Sequence, residues 1–256
     1  MERRRLADDL YALVSTDLEQ RGFVAAFTER TGGVSEGPYA SLDLALHTGD
    51  APEAVTENRA RVVAALGAAA PVVGEQVHGA RLVRVGGSRA GAGWASSDPV
   101  PAADGLLATR PGLPLAILTA DCLPIALASP SEGLVAVVHA GWRGLAAGIL
   151  EQAVSRFDRP GGLRAAIGPA IGPCHYEVGE DVALAVAAGS DAGAVTDRRG
   201  GRLYLDLAGT AARVLRRAGV RHLQRAEECT ACEEGRFFSH RRDGVTGRQA
   251  MVAVRV

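Results

Sequence analysis

The chain contains 256 residues, of which 47% are hydrophobic, 22% charged and 4% aromatic, and its formal net charge is −1. All 28 basic residues are arginine, which excludes Schiff-base chemistry, a pyridoxal site and a P-loop lysine. A near-zero net charge without a basic block also argues against a nucleic-acid or membrane-surface partner, because binding phosphate groups needs a concentrated positive field.

The N-terminal part of the chain predicts one strand and one helix. Its first arginines are followed at once by Asp8 and Asp9 rather than by an apolar segment, so no signal peptide is expected. The apolar run at residues 23–28 predicts a strand. Asp50 is predicted to cap a helix that ends at Gly67, because a proline in the first turn and a glycine after the last turn mark helix ends.

The central part predicts strands covered on both faces. Nearly continuous apolar residues indicate such strands, and helical spacing marks one element among them. The predicted strands are residues 72–77, 81–85, 113–118 and 134–138, the predicted helix is 144–157, and the glycine-rich piece 86–103 is a predicted surface loop. The longest apolar stretch is interrupted by Asp121 and by prolines, so no membrane span is expected.

The C-terminal part adds predicted strands at 165–168, 222–226 and 249–254 and predicted helices at 177–188 and 206–218. These strands are more numerous than a simple alternating strand–helix pattern supplies. We therefore predict an α/β fold with a layered α/β/β/α arrangement of mixed sheets, forming a single domain over residues 1–256. Four cysteines without a secretory leader indicate a reducing compartment, and we expect the cytoplasm.

Three short segments each place a potential metal ligand between a strand and a tight turn. These ligands are His78, Cys122 and His139. Two imidazoles and a thiolate form a borderline-soft donor set that suits zinc, and three protein ligands leave a fourth position open, as in catalytic sites. Taken singly, each residue is better explained as a packed cysteine or a buried histidine.

Other polar residues near these segments are candidates for binding substrate or moving protons. Arg143 enters a predicted helix, where an anion is favoured, and Arg241 and Arg242 form a second anion-binding candidate. The alternative for each arginine is an exposed or ion-paired residue. Asp121 is either an acid–base group or a partner that orients a ligand imidazole, and Gln76 is a further substrate-binding candidate.

Two cysteine segments have open roles. Cys174 and His175 follow a rigid Gly-Pro turn that either points a thiol at the metal pocket, making them catalytic candidates, or forms a packed corner. Cys229 and Cys232 have the spacing of a redox motif or zinc knuckle, but no second pair accompanies them in the sequence. We expect them to lie in a surface loop with reduced thiols.

The motifs resemble those of the YfiH-like laccase-domain family, whose members have been labelled polyphenol oxidase, purine nucleoside phosphorylase and peptidoglycan editing factor. The matching segments are FTERTGGVS at 27–35, QVHG at 76–79, TADC at 119–122, HAGWRG at 139–144, IGPAIGPC at 167–174 and FFSHRRDG at 237–244. The resemblance runs from about Phe23 to the C-terminus. It implies an α/β/β/α fold and a zinc ion held by His78, Cys122 and His139. Asp43 departs from the pattern, which has asparagine there.

Three functions compete. The first is zinc-dependent phosphorolysis of adenosine, inosine or methylthioadenosine, with a purine nucleoside and phosphate as partners and adenosine deamination as a second activity. The second is a cysteine-type amide hydrolase that uses Cys122 on a peptidoglycan-precursor peptide. The third is a copper polyphenol oxidase. It is disfavoured because six histidines are too few for a multicopper site and neither methionine is placed to serve as an axial ligand.

Overall fold

A computed structural model describes residues 1–190, 194 and 196–256. Its strands in chain order are β1 (Glu2–Ala7), β2 (Leu10–Val14), β3 (Phe23–Thr28), β4 (Val72–Val73), β5 (Leu82–Arg84), β6 (Gly105–Ala108), β7 (Leu115–Thr119), β8 (Leu123–Ser129), β9 (Leu134–Ala140), β10 (Arg164–Ile167), β11 (Glu177–Val178), β12 (Thr196–Arg199), β13 (Arg202–Leu205), β14 (His222–Arg225) and β15 (Gln249–Arg255). Its α-helices are α1 (Thr16–Glu19), α2 (Pro52–Leu66), α3 (Trp142–Ala146), α4 (Ile149–Val154), α5 (Glu180–Gly189), α6 (Leu207–Arg217) and α7 (His240–Asp243). Short 3-10 turns lie at Gly37–Tyr39, Gly87–Arg89 and Pro160–Gly162.

Two six-stranded sheets form the body of the fold. The first has the order β1-β2-β3-β15-β7-β4 and the second has the order β14-β10-β8-β9-β6-β5. The first is antiparallel except between β4 and β7, and the second has parallel pairs only at its two edges, β10–β14 and β5–β6. A small antiparallel sheet, β11-β13-β12, lies beside them. The predicted mixed sheets are therefore confirmed.

The two large sheets pack face to face with helices on their outer sides. Alternate side chains of β7 point to opposite faces, so Leu115 and Ile117 enter the core shared with the second sheet, whereas Ala116 and Leu118 face the α2 side. On the other side, β8 and β9 bury residues such as Ile125 against α4 and α6. The order of layers is α/β/β/α, as predicted.

The helices predicted to begin at Asp50 and to span 144–157 differ from the observed ones in how they begin or continue. The N-cap of α2 is Ala51 and makes no side-chain cap bond. The Asp50 carboxylate instead accepts hydrogen bonds from its neighbour's backbone nitrogen and from Ser35, so its prediction as the cap is wrong. The single helix predicted at 144–157 is two helices, α3 and α4, because Gly148 adopts a left-handed φ of 73° between them.

The predicted strands are mostly placed correctly, and two segments differ for physical reasons. The strand predicted at 72–77 ends at Val73, because Gly74 and Glu75 pair with Val100 instead of with β7. The backbone N–H groups of residues 77–79 then turn toward the carboxylate of Asp104. The helix predicted from Glu177 begins at Glu180, because Glu177 and Val178 pair with β13. Strands β1, β2, β6, β8, β11, β12 and β13 were not predicted.

The chain crosses between the two large sheets at one end of the fold. Residues 74–81 lead from β4 in the first sheet to β5 in the second, and residues 120–122 lead from β7 to β8. His139 lies near the end of β9, which is the neighbour of β8. Two crossings and one strand end thereby bring the three predicted metal ligands together. Within the described ranges, the structure contains no helix long and apolar enough to cross a membrane.

Candidate active site

The three predicted metal ligands form one cluster, which we call the first cluster: His78, Cys122 and His139. Their donor atoms lie within 4.8 Å of one another. The two imidazole rings meet edge to face, with their centroids 4.9 Å apart and an interplanar angle of 75°. His139 is buried, Cys122 is half-buried and His78 is exposed, so the cluster has a closed side and an open side. A Cys/His group of this kind can hold a metal ion.

The backbone around the cluster adopts conformations that are rare for residues other than glycine. His78 has a φ of 60° and Asp121 a φ of 92°. Both residues lie in the segments that cross between the sheets. Such conformations persist only where the surrounding structure fixes them, and they are frequent at functional sites.

Asp104 organises the first cluster, although the sequence analysis did not single it out. One carboxylate oxygen accepts a hydrogen bond from Nδ1 of His139 at 2.8 Å and from the backbone nitrogen of His78 at 2.9 Å. The other accepts from the backbone nitrogens of Gly79 at 2.8 Å and Val77 at 3.2 Å. Because Nδ1 of His139 is engaged, Nε2 is left to act as a ligand. The only sequence signal was a single acid just before a buried strand.

The electrostatics of the first cluster favour a thiolate. Burial opposes ionisation of Cys122, but hydrogen bonds with His139 and His78 outweigh it and lower the pKa of the thiol to about 6. Burial also works against the charge on His139, yet hydrogen bonds with Asp104 and Cys122 raise its pKa to about 9. The thiolate is the form of cysteine that binds metals or attacks substrates.

Gly141 leaves room for the cluster. A Cβ atom at this position would lie 3.1 Å from Sγ of Cys122 and 3.3 Å from Cδ2 of His78. Both distances are shorter than ordinary carbon contacts. The HAGWRG motif therefore supplies the predicted ligand His139 and, two residues later, the space in which the other two predicted ligands meet.

A cavity of about 820 Å³ opens over the first cluster. Its wall includes Arg143, Arg241 and Tyr176. The guanidinium of Arg143 lies 4.4 Å from the ring centroid of Trp142, and within the described part of the chain it forms no ion pair. The guanidinium of Arg241 donates to the carbonyl of Glu177 at 2.9 Å and lies 5.0 Å from the Tyr176 ring. Both arginines keep nitrogen donors at the cavity.

The side chains of Asp121 and Arg242 are both engaged by hydrogen bonds or an ion pair with neighbouring residues. The Asp121 carboxylate accepts hydrogen bonds from the Thr230 hydroxyl and from the backbone nitrogen of Arg241, each at 2.6 Å. Arg242 pairs with Asp243 and donates to backbone carbonyls, including that of Thr230 at 2.9 Å. Arg242 is not among the residues on the cavity wall, so it supports the loop beside the cavity.

Gln76 lines the cavity next to His78. Its amide nitrogen donates to the carbonyl of Leu118 at 2.7 Å, and its amide oxygen accepts from the backbone nitrogen of Leu118 at 2.9 Å. The side chain thus continues the pairing of β4 with β7. Its remaining N–H can still serve a ligand, and its role in substrate binding stays a prediction.

The structure places Cys174 and His175 away from the wall of the large cavity. Together with Cys229 and Cys232 they form what we call the second cluster, whose donor atoms also lie within 4.8 Å of one another. The sequence showed no partner pair for Cys229 and Cys232, but the fold places Cys174 and His175 beside them. This grouping could not be predicted, because His175 and Cys229 are 54 residues apart and only a tertiary contact brings them together.

Asp43 stands where the family pattern has asparagine, and it is fully buried. Its carboxylate accepts hydrogen bonds from the Thr48 hydroxyl at 2.6 Å and from the backbone nitrogens of Arg248 at 2.8 Å and Ala45 at 3.1 Å. Burial raises its pKa despite these bonds. The residue holds a loop contact and is not a member of the first cluster.

Known proteins resemble this chain over nearly its whole length. The pattern of a family described as multi-copper polyphenol oxidoreductase laccase matches residues 24–255. A Shigella flexneri protein named purine nucleoside phosphorylase YfiH is 42% identical, over 90% of this chain and 93% of its own length. The purine nucleoside phosphorylase YlmD of Geobacillus stearothermophilus is also 42% identical, over 89% of this chain and 88% of its own length. The crystal structure of YlmD from the same organism superposes with a TM-score of 0.92 at 38% identity, covering 99% of this chain and 98% of that one.

Proposed function

Because the chain belongs to the YfiH-like laccase-domain family, we propose that it is a zinc-dependent purine nucleoside phosphorylase acting on adenosine, inosine or methylthioadenosine. One observation carries the proposal. The first cluster lies at a cavity of about 820 Å³ whose wall also presents the arginines Arg143 and Arg241. The cavity is within the size range of small-molecule sites, and the curated relatives are named for this activity.

The residues of the first cluster fit a zinc ion. Two imidazoles and a thiolate are borderline-soft donors, and Nδ1 of His139 is already bound to Asp104, as is usual for histidine ligands. The missing side chain at Gly141 leaves the ligands free to converge. A zinc ion bound there would supply positive charge to polarise a substrate oxygen or a water molecule.

The proposed anion site lies on the part of the cavity wall formed by Arg143 and Arg241. Phosphorolysis needs phosphate beside the sugar, and an arginine fork suits a phosphate because several N–H donors meet several oxygens. Arg143 has no ion-pair partner among the described residues, and Arg241 uses one nitrogen on Glu177. Asp121 accepts a hydrogen bond from the Arg241 backbone, so we assign Asp121 a positioning role at this site.

The departing purine needs a proton or a hydrogen-bond donor, because negative charge builds on the base. Burial raises the pKa of Tyr176 to about 12, which keeps its phenol protonated and able to donate a hydrogen bond. His240 also lines the cavity, and its ring is held by a 2.6 Å hydrogen bond from Nδ1 to the carbonyl of Gly244. We assign the hydrogen-bond donor to Tyr176 and the proton donor to His240.

The proposal is tested by measuring release of free base from adenosine and inosine with and without phosphate, on protein whose metal content is known. We expect release that requires phosphate and yields one sugar phosphate per base. His139→Ala should lose the metal ion of the first cluster together with the activity, whereas His222→Ala, which alters an exposed histidine on β14, should keep both. Base release independent of phosphate would refute phosphorolysis, and full activity in metal-free protein would refute its dependence on zinc. Conversion of adenosine to inosine without phosphate would identify the deaminase activity.

A second candidate function follows from a different reading of the first cluster. Cys122, His139 and Asp104 have the order of a nucleophile, a base and an orienting carboxylate. In that reading Cys122 attacks an amide, such as one in a peptidoglycan-precursor peptide. A cysteine that serves as a zinc ligand is not a free nucleophile, so the metal content of the active protein separates the two functions. Copper in place of zinc would favour the oxidase.

A further inference from the structure

The second cluster brings four potential metal ligands together. Sγ of Cys174 lies 3.4 Å from Sγ of Cys232. Nδ1 of His175 lies 3.3 Å from Sγ of Cys232 and 4.0 Å from Sγ of Cys229. All four donor atoms fall within 4.8 Å of one another. Cys229 is buried and the other three residues are exposed, so the group is anchored on one side and accessible on the other.

These separations agree with tetrahedral coordination. Zinc bonds are about 2.3 Å to sulfur and about 2.0 to 2.1 Å to nitrogen, so ligand atoms at the corners of a tetrahedron lie roughly 3.3 to 3.8 Å apart. The three separations given above, from 3.3 to 4.0 Å, lie in or close to this interval. Only small side-chain movements are needed for four bonds to form.

The local backbone also suits a metal-bound thiolate. Cys229 and Cys232 have the two-residue spacing of a zinc knuckle, and the backbone nitrogen of Cys232 donates to the carbonyl of Cys229 at 3.1 Å. The backbone nitrogen of Gly172 donates to Sγ of Cys229 at 3.1 Å. A Cβ at Gly172 would lie 3.2 Å from Sγ of Cys174 and 3.4 Å from Sγ of Cys229. The glycine leaves space for the sulfur atoms to converge.

We propose that Cys174, His175, Cys229 and Cys232 bind a second zinc ion in a closed, structural site. Four protein ligands leave no open position for a substrate, unlike the three ligands of the first cluster. The donor set of three thiolates and one imidazole occurs in structural zinc sites. The assignment is independent of the reaction proposed above, because it requires nothing of the cavity's substrate.

The second zinc ion would tie the loop that carries Tyr176 on the cavity wall to the loop at 229–232 behind it. Thr230, between the two cysteines of the knuckle, donates its hydroxyl to Asp121, and its backbone nitrogen bonds to the carbonyl of Ala170 at 3.0 Å. Tyr176 follows His175 directly and lines the large cavity. The proposed role is therefore to fix the positions of Asp121 and Tyr176 from outside the cavity.

The test is metal analysis of protein purified anaerobically with a reductant, for wild type and single-site variants. We expect two zinc ions per chain in wild type, and one in each of Cys174→Ser, Cys232→Ser and His139→Ala. A matched control, His222→Ala, should keep two. X-ray absorption should show mainly sulfur ligands around the ion that remains in His139→Ala, and mainly nitrogen ligands in Cys232→Ser. Cys174→Ser and Cys232→Ser alter exposed residues, so circular dichroism is expected to show both variants folded.

Three results would overturn the proposal. One is wild-type metal content in both Cys174→Ser and Cys232→Ser. Another is an absence of bound metal in folded His139→Ala, which would assign all the metal to the first cluster. The third is a disulfide between Cys174 and Cys232 in wild type purified anaerobically without a reductant, detected as a mass loss under non-reducing conditions. Loss of phosphorolysis alone leaves the metal counts unaffected, so failure of the proposed function is distinguishable.

Discussion

The carboxylate of Asp104 lies 2.8 Å from Nδ1 of His139, and both side chains are buried. The same carboxylate binds the backbone nitrogen of His78. One acid therefore fixes the orientation of one imidazole ring of the first cluster and the path of the chain that carries the other imidazole. A metal site depends on such supporting contacts nearly as much as on the ligands themselves.

Asp104→Asn is the most direct test of this arrangement. An asparagine amide would direct an N–H group at backbone donors of the 77–79 turn, leaving them without an acceptor in a half-buried place. We expect a loss of about 1 to 3 kcal/mol in the free energy of unfolding and a metal affinity about 10- to 100-fold lower, measured by chelator competition. Asp98→Asn, at an exposed position, is the control. Unchanged metal affinity in Asp104→Asn would show that the supporting contact is dispensable.

Gly141→Ala tests whether the space beside the ligands matters. Gly141 has an ordinary φ of −76°, so alanine is tolerated by the backbone, and its methyl group is what pushes on Cys122 and His78. We expect the fold to survive and the metal affinity to fall by at least about tenfold. Gly162→Ala is a matched control, because no heavy atom lies within 4 Å of a Cβ there. Equal affinity in both variants would mean that the cluster adapts freely to the added methyl group.

The layered fold was predictable from hydrophobic patterning, but the site was predictable only in part. Apolar runs such as residues 113–118 report burial on two faces, and burial on two faces implies covered sheets. The three ligands of the first cluster stand out because each follows a strand and precedes a turn. The sequence gives no sign that Asp104 turns toward His139, since that contact joins residues 35 apart through the pairing of β6 with β9.

The second cluster shows the same difficulty more sharply. Cys229 and Cys232 resemble half of a metal site in the sequence, and the missing half lies at Cys174 and His175, beyond α5 and α6 along the chain. Periodicity and spacing describe neighbours along the chain, whereas this relationship is created by the bridge between Ala170 and Cys229. Short elements were missed for a related reason: β12 is fully exposed and polar, and β13 has only four residues, too few to show a periodic pattern.

Arg143→Ala tests the proposed phosphate site. Removing one charge-assisted hydrogen bond costs about 1.5 to 3 kcal/mol, so KM for phosphate should rise about 10- to 150-fold while KM for the nucleoside changes much less. Steady-state kinetics with each substrate varied in turn provide the measurement. Arg84→Ala, on the exposed end of β5, is the control. Equal effects on both substrates would instead indicate a general positioning role for Arg143.

Glu29 predicts a pH dependence of stability. It is fully buried, and Arg3 and Arg236 both donate to it. Burial would raise its pKa, but the hydrogen bonds from the two arginines outweigh burial and lower it. A carboxyl whose pKa is lower in the folded state stabilises the fold above its unfolded pKa of about 4.5 and loses that contribution as the pH falls through the folded value.

Urea unfolding of wild type and Glu29→Gln across this pH range measures the effect. We expect Glu29→Gln to be less stable by about 1.5 to 3 kcal/mol near neutral pH, with the difference shrinking as the solution is acidified below about pH 4.5. Glu57→Gln, at a half-exposed helix position, should show a small difference at every pH. A constant deficit for Glu29→Gln down to acid pH would mean that lost packing, and not the charge pair, explains the change.

Alkylation of Cys122 separates metal-centred chemistry from cysteine nucleophilic chemistry. In the metal-loaded protein the thiolate is a ligand and should react slowly, whereas after chelation its pKa of about 6 makes it mostly thiolate at neutral pH and fast to react. In chelated protein the labelling rate should rise through about pH 6, and His139→Asn should move that midpoint upward, because the hydrogen bond that favours the thiolate is lost. The readout must be peptide-level mass spectrometry, since Cys174, Cys229 and Cys232 react independently. Rapid labelling of Cys122 in protein carrying its full metal content would contradict the zinc assignment, because a bound thiolate is shielded. That result would favour the amide hydrolase over the phosphorylase.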